Sequence, residues 1–202
     1  MKRTKKDAEV TRQQLLKSAL RVFGEKGFAA TRLEDIAEAA NVTRGAIYHH
    51  FGNKQELFVT LFKERIDPFF DIMTQTLAEN ASPLERIRKM LLVIFENIEH
   101  NKEFQAHQQL DLMDIDIKNE IKELKEYMRT RGETIFKILI QLIKSGKESS
   151  EIKKEADEEA IACAIFANIS GFRFITVKDK KRPLFTIKKD AIVDILINGI
   201  KA

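Results

Sequence analysis

The chain has 202 residues, one cysteine and no tryptophan; 33% of its residues are charged, and its formal net charge is +4. This length suffices for one large or two modest domains with a real core, and the scarcity of glycine and proline is typical of helical proteins. The single cysteine, Cys163, excludes a disulfide within the chain, and neither a signal-like segment nor a bilayer-length apolar run occurs, so we expect a cytoplasmic protein.

The positive charge is concentrated at the N-terminal end. Residues 1–60 contain eleven Lys or Arg and seven Asp or Glu, a net charge of +4, whereas residues 61–202 contain twenty-four of each sign. This asymmetry is expected if one end of the protein meets phosphates. It is also compatible with a slightly basic surface that has no such role.

The first predicted elements are an arm and a helix. Residues 1–9 are expected to form a flexible basic arm, which either reaches a minor groove or serves only to keep the protein in solution. A helix then begins with a capping box at Thr11. Gly27 is placed to end this helix, with Phe28 close enough to contact Phe23.

Residues 31–58 have the pattern of a complete helix-turn-helix followed by the start of another helix. Thr31 and Glu34 have the spacing of a capping box for the first of these helices. Asn41 stands at the sharp turn, where it can adopt the left-handed conformation. Thr43 is the candidate N-cap of the next helix.

The helix predicted over residues 43–50 separates a packing side from an exposed side. The inward residues are Ala46, Ile47, His50 and Phe51, and the outward residues are Arg44, Gly45, Tyr48 and His49. Arg44 can donate to guanine or hold a phosphate, and Gly45 would let the backbone approach DNA closely. Tyr48 and His49 are suited to phosphate contacts. Gly52 ends the helix, and Lys54 lies at the next helix N-terminus, where an anion is favoured.

The rest of the chain predicts further helices without a competing strand pattern, giving an all-α fold of about nine helices. The predicted helices are residues 53–77 with a kink at Pro68, residues 82–98 with a capping box at Ser82, residues 104–113, residues 118–144 ending near Gly146, residues 157–177, and a last helix from Thr186.

The helix-turn-helix segment resembles the signature of the TetR family of bacterial transcriptional regulators. The matching positions are Thr31, Ile36-Ala37, Ala40-Asn41-Val42-Thr43, Gly45, Tyr48-His49-His50-Phe51, Lys54 and Leu57, with Asn41 where the family usually has Gly. The segment is most similar to regulators of multidrug efflux pumps. The resemblance implies a DNA-binding domain over residues 1–52 and an effector-binding and dimerisation domain over residues 53–202. The expected DNA contacts are Thr31, Arg32, Thr43, Arg44, Gly45, Tyr48, His49 and Lys54.

The resemblance also implies two sites in the C-terminal domain. Because the last two helices of family members form a four-helix bundle across a two-fold axis, the expected dimer interface is Ala160, Ala164, Ala167, Gly171, Ile192, Ile195, Leu196 and Gly199. The expected pocket for a small hydrophobic effector is Phe62, Ile66, Leu91, Phe95, Phe104, His107, Phe136 and Phe166. The same apolar side chains are also compatible with plain intramolecular core.

Our functional hypothesis is a homodimeric repressor that a small hydrophobic effector releases from a near-palindromic operator. The alternative is a DNA-bound structural or assembly factor that needs no effector. We predict no enzymatic activity and no cofactor, because the sequence has no nucleophile–base pair and no phosphate loop. We also predict no metal site, because His100 and His107 are irregularly spaced from Glu103 and Asp111.

Overall fold

The computed structural model describes residues 5–101, 121–178 and 188–202, apart from the side chains of residues 174 and 176–178. The described part of the chain forms eight helices, and its one β feature is an isolated bridge between Ile152 and Lys201. The helices are α1 (Lys5–Ala30), α2 (Leu33–Ala39), α3 (Arg44–Phe51), α4 (Lys54–Leu77), α5 (Pro83–His100), α6 (Lys122–Glu148), α7 (Glu158–Lys178) and α8 (Lys189–Ile200). The all-α prediction is confirmed. The helix predicted at residues 104–113 and the predicted start at Thr186 lie outside the described residues.

The chain divides into two compact units. Of the described residues, the first unit contains 5–66 and 121–126, and the second contains 67–101, 127–178 and 188–202. The division falls within α4 and α6, so these two helices contribute to both units. The functional boundary expected between residues 52 and 53 stays a prediction.

The core of the first unit is built around three aromatic rings. Phe23 of α1 lies 5.7 Å from Phe28 and 5.2 Å from Phe58 of α4, and Phe28 lies 4.8 Å from Phe58, measured between ring centroids. The predicted contact between Phe23 and Phe28 is therefore confirmed. Leu15 of α1 and Ile47 of α3 are fully buried in this unit as well. The ring contacts hold the start of α4 against α1, and α3 buries Ile47 in the same unit.

The start of α1 differs from the sequence-based expectation. The helix begins at Lys5 rather than Thr11, so the arm predicted over residues 1–9 is wrong for residues 5–9; residues 1–4 lie outside the described part. The Thr11 hydroxyl donates to the backbone carbonyl of Asp7 at 2.9 Å. A threonine can make this bond to the preceding turn inside a helix, so Thr11 does not mark an N-terminus. At the other end, the helical geometry breaks at Gly27 (φ 76°, ψ 164°), as predicted.

The second unit has a core in which α5 contacts both α7 and α8. The predicted capping box of α5 is confirmed, because the Glu85 amide donates to the Ser82 hydroxyl at 3.4 Å and the Ser82 amide donates to the Glu85 carboxylate at 3.2 Å. The apolar residues predicted for α5 are all buried: Ile87, Met90, Leu91, Ile94, Phe95 and Ile98. Asp157 accepts from the Ala160 amide at 2.6 Å and so caps α7 as predicted.

Helix α6 continues past the position where the sequence predicted its end. It runs through Gly146 to Glu148, and the backbone then turns at Ser150, whose φ is 61°. A Cβ atom on Gly146 would lie 2.6 Å from Cδ1 of buried Ile152. The glycine is therefore required by close packing against Ile152 and not by the helix terminus.

Polar side chains join α4 to α6 in each unit. In the first unit the Lys63 ammonium lies 2.7 Å from the Glu123 carboxylate. In the second unit the Tyr127 hydroxyl donates to Asp67, and the Arg131 guanidinium lies 3.1 Å from Asp67 and 2.9 Å from Asp71. Burial, together with the hydrogen bond to Asp67, raises the pKa of Tyr127 to about 12. Because successive partners are four residues apart on each helix, they lie along one face of each.

Candidate nucleic-acid interface

The turn between α2 and α3 has the geometry that the sequence predicted. Asn41 has a φ of 53°, in the left-handed region, and the Val42 amide donates to the Ala37 carbonyl at 3.0 Å. Asparagine tolerates this conformation better than most residues. It therefore replaces the usual family glycine without loss of the turn.

The N-terminus of α2 is capped one residue later than predicted. Thr31 is 1% exposed, and its hydroxyl donates to the Gly27 carbonyl at 2.6 Å. The Arg32 amide instead donates to the Asp35 carboxylate at 2.9 Å, and that hydrogen bond, together with Lys26, lowers the pKa of Asp35. The capping box predicted from Thr31 and Glu34 is therefore wrong, because the break at Gly27 draws Thr31 back toward α1. The Thr31 side chain does not reach the surface.

Helix α3 presents the predicted residues to solvent. Arg44, Gly45, Tyr48 and His49 are exposed, whereas Ile47 and Phe51 are buried and Ala46 and His50 are half-buried. The φ of 74° at Gly52 ends the helix, and the Glu56 amide donates to the Asn53 side chain at 2.9 Å to start α4. The outward residues are thus held on a short helix that is fixed by burial of its opposite side.

Arg44 has two partners, one on its own helix and one on α2. Its Nη2 donates to the Tyr48 hydroxyl at 2.6 Å, and its Nη1 lies 2.6 Å from Oε1 of Glu34. The guanidinium carbon also lies 5.2 Å from the centre of the Tyr48 ring. The hydrogen bond with Tyr48 and the charge of Glu34 raise the pKa of Arg44. Sequence reasoning missed Glu34 as a member of this surface, because its proximity to Arg44 depends on the turn and not on helical spacing.

Lys54 has a different environment from the one expected. Its ammonium donates to the backbone carbonyls of Phe28 at 2.9 Å, Ala29 at 3.3 Å and Thr31 at 3.0 Å. It also lies 4.5 Å from the centre of the Phe28 ring. A cation is favoured here because the carbonyls of Phe28 and Ala29 lie at the C-terminal end of α1, and that of Thr31 just beyond it, where the helix dipole is negative. The structure therefore supports a role for Lys54 in holding α1 to α4.

Of the remaining expected DNA contacts, Arg32 and Thr43 are both exposed. Thr43 is the N-cap residue of α3, with extended backbone geometry and without a capping bond from its side chain. Together with Arg44, Gly45, Tyr48 and His49, Thr43 gives the start of α3 a continuous exposed surface of donors and flat rings. Such a surface can bind phosphates and base edges.

The expected pocket residues are distributed over both units. Phe62 and Ile66 are buried in the first unit, and Leu91 and Phe95 are buried in the second. Phe95 stacks on Phe172 at 4.1 Å between centroids, whereas the half-buried rings of Phe136 and Phe166 lie 6.0 Å apart. Phe104 and His107 lie outside the described residues. Leu91 lines a cavity of about 30 Å³ between α5, α7 and α8, which is a water-sized volume.

The expected dimer residues are accessible in the single chain. Ile195 is 72% exposed, and the other exposed or half-buried members are Ala160, Ala164, Ala167, Gly171, Ile192, Leu196 and Gly199. On the other side of α7, the predicted bulky residues Ile161, Ile165, Ile169 and Phe172 are buried. Helix α7 therefore buries this bulky stripe and leaves the stripe of Ala160, Ala164, Ala167 and Gly171 accessible.

Within the described residues, the ligand atoms of Glu96, Glu99 and His100 lie within 4.8 Å of one another. The Lys189 ammonium contacts both Glu96 and Glu99. A cationic side chain thus already balances these carboxylates. Helices α5 and α8 are joined by this ion-pair network. The other residues considered for a metal site, Glu103, His107 and Asp111, lie outside the described residues.

Across the residues that the structure describes, every helix lacks the combination of length and apolar character that crossing a membrane would need.

Comparison with known proteins identifies both parts of the chain. Residues 15–61 match the model of bacterial regulatory proteins of the tetR family, and residues 62–199 match that of the YsiA-like protein C-terminal region. The second match alone covers more than half of the chain.

Individual relatives agree with this result. The regulator TtgR of Pseudomonas putida is 29% identical over 201 residues, covering 97% of this chain and 96% of its own. The fatty acid metabolism regulator protein of Bacillus subtilis is 25% identical over 190 residues, covering 93% and 94%. The structure of NalD from Pseudomonas aeruginosa has a TM-score of 0.76 at 24% identity, covering 96% and 98%, and it supports the fold alone. The chain belongs to the TetR family, and it is a DNA-binding transcriptional regulator.

Proposed function

We propose that the protein is a homodimeric repressor that binds a near-palindromic operator through α3 and leaves it when a small hydrophobic effector binds. The observation that carries this proposal is the exposed surface of α3, where Arg44, Tyr48 and His49 stand on a helix anchored by Ile47 and Phe51. A recognition helix places its N-terminal residues against base edges in the major groove. Arg44 is the residue suited to read guanine, since its fork of donors matches the guanine edge.

The dimer is supported by the exposed side of α7 and α8. Small residues on α7 allow another helix to approach closely, and the exposed Ile195 of α8 leaves apolar surface without cover in the single chain. A two-fold arrangement of these helices would give the protein two copies of α3. Two recognition helices related by a two-fold axis require an operator with matching symmetry.

The effector class is supported by a relative. The structure of FadR from Bacillus subtilis, which has a TM-score of 0.68 to this chain, was obtained in complex with stearoyl-CoA. An effector can release the operator only if it binds one conformation of the dimer more tightly than the other. We therefore propose hydrophobic compounds as effectors and stearoyl-CoA as the first one to test.

Selection of operator sequences from random duplex DNA tests the DNA-binding surface. We expect the wild type to enrich a sequence with two-fold symmetry. Arg44→Ala should bind that duplex about five- to 150-fold more weakly, since a good base contact contributes about 1–3 kcal/mol. Tyr48→Ala should weaken binding as well, through the loss of a phosphate contact. Lys154→Ala is the control, because it removes an exposed positive charge in the second unit. Wild-type affinity in the Arg44 variant would remove α3 from the proposed interface.

A second experiment tests the effector. Stearoyl-CoA, or apolar aromatic compounds, are added to the complex of the protein with the selected operator duplex. A repressor of the proposed kind loses operator affinity with one of them. Unchanged operator binding across the whole set would instead favour the effector-independent structural factor.

A further inference from the structure

The contact between Arg44 and Glu34 joins the proposed recognition helix to the helix before it. The two charged groups lie 2.6 Å apart, and they come from α3 and α2, which are separated by the turn at Asn41. The Tyr48 hydroxyl and ring provide a second set of contacts to the guanidinium. Arg44 is thus held by residues of two helices on the surface that would face DNA.

This ion pair contributes little to the fold. The side chains of Arg44 and Glu34 are 56% and 54% exposed, and pairs so accessible to water add about 0–1 kcal/mol to stability. The packing of α2 and α3 instead depends on buried residues such as Ile36 and Ile47. A carboxylate that stabilises the fold so little, on a surface that would meet phosphates, requires another explanation.

We propose that Glu34 is a positioning residue that sets the sequence discrimination of the protein by holding the Arg44 guanidinium in one orientation. This inference rests on the proposed function, in which Arg44 reads a base edge. An arginine side chain has many rotamers, and ordering it on binding costs free energy. Contacts with Glu34 and Tyr48 remove that freedom beforehand, while most of the five guanidinium donors stay available.

The negative charge of Glu34 also acts on competing DNA. Arg44 contacts with phosphates would carry no sequence information, because every duplex offers the same phosphates. Glu34 disfavours such contacts because it competes with the phosphates for the Arg44 guanidinium. Its effect should therefore appear in the ratio of operator affinity to non-specific affinity, more than in either affinity alone.

The test compares Glu34→Gln with Glu38→Gln. Both residues are exposed on α2 and lie one turn apart, so the two variants lose the same charge from the same side of the helix. Each is measured against the selected operator duplex and a scrambled duplex of equal length. We expect Glu34→Gln to lower the ratio of the two affinities about two- to fivefold, the range equivalent to an exposed ion pair. We expect Glu38→Gln to leave that ratio unchanged.

A double-mutant cycle assigns the effect to Arg44. In the Arg44→Ala background, adding Glu34→Gln should change the ratio no further, because the group that Glu34 positions is gone. The proposal is overturned if Glu34→Gln matches Glu38→Gln, or if its effect persists in the Arg44→Ala background. Failure of the proposed function would look different, since Arg44→Ala itself would then leave operator binding unchanged.

Discussion

At the scale of single residues, position in the sequence motif does not by itself decide what a side chain does. Arg44 and Lys54 are both basic residues of the same motif. Arg44 is exposed with its guanidinium toward solvent, whereas the Lys54 ammonium donates to three carbonyls near the end of α1. All three carbonyls follow the break in helical geometry at Gly27. A residue expected to meet phosphate can therefore be engaged within the protein.

Replacing Lys54 with Met distinguishes a role in capping α1 from a contact with a DNA phosphate. If the ammonium chiefly caps α1, Lys54→Met should lower the free energy of unfolding by about 1–3 kcal/mol, because hydrogen bonds from a charged group are lost. The salt dependence of DNA binding should stay the same. Chemical denaturation and binding at several salt concentrations measure the two quantities. A salt slope reduced by about one unit, with unchanged stability, would show that Lys54 contacts a phosphate.

Tyr127 provides a pH-dependent prediction. The chain has two tyrosines, Tyr48 and Tyr127, so in Tyr48→Phe the phenolate absorbance reports Tyr127 alone. Its pKa is raised from 10.0 to about 12, chiefly by burial and then by Asp67, so the neutral phenol is the stabilised form. The stabilisation is complete below pH 10 and is lost as the pH rises through about 12.

We expect the Tyr48→Phe protein to titrate with a midpoint near 12 when folded and near 10 when unfolded in guanidinium. Asp67→Asn should lower the folded midpoint, since the amide keeps an acceptor but removes the charge. Equal midpoints in the folded and unfolded proteins would contradict the contact between Tyr127 and Asp67.

At the scale of helices, capping signals and apolar spacing predicted most of the boundaries near the candidate site. The limits of α3 and the start of α5 follow from local features, such as Thr43, Gly52 and Ser82, that act within one turn of the chain. The start of α1 and the end of α6 were not predictable in this way. Thr11 donates a hydrogen bond to the Asp7 carbonyl inside a helix that begins at Lys5. Gly146 is needed for packing against Ile152. At both positions the residue type suggested a helix terminus, whereas the contact that it makes in the structure has another role.

The two glycines of α6 should respond in opposite ways to alanine. Gly132→Ala meets nothing within 4 Å, so it should stabilise the protein by about 0.5–1 kcal/mol through helix propensity. Gly146→Ala places a Cβ 2.6 Å from Ile152 and 3.3 Å from Pro83, so it should destabilise by about 1–3 kcal/mol. Thermal unfolding of the two variants provides the comparison. Stabilisation by both would mean that Ile152 moves aside at little cost.

The same distinction applies to the candidate site. The outward face of α3 was predictable because helical spacing alone separates Tyr48 from Ile47. The contact of Arg44 with Glu34 was not, since it requires the relative placement of two helices. The burial of Thr31 likewise depends on the break at Gly27.

At the scale of the whole molecule, the net positive charge and the most exposed large hydrophobic residue described lie at opposite ends of the sequence. Residues 1–60 carry the entire net charge of +4, and Ile195 of α8 is the most exposed large hydrophobic residue described. A charged surface toward DNA and an uncharged one toward a second subunit are what a dimeric regulator requires.

The variant Ile195→Lys tests the dimer. A charge buried at the proposed interface would have no partner, so sedimentation should show monomers and affinity for the symmetric operator should fall. Val10→Lys is the control, because it places the same charge on a residue that is 52% exposed in α1. If the Ile195→Lys variant still forms a dimer, the interface does not include this part of α8.

The thiol of Cys163 is exposed on α7, and it is the one cysteine in this chain. Any disulfide that the protein forms must therefore link two molecules. Oxidation can produce a covalent pair even where the non-covalent interface has been disrupted, and such a pair would persist in denaturant until it was reduced. A disulfide between two copies of Cys163 would thus make the redox state of the surrounding solution a second determinant of oligomeric state.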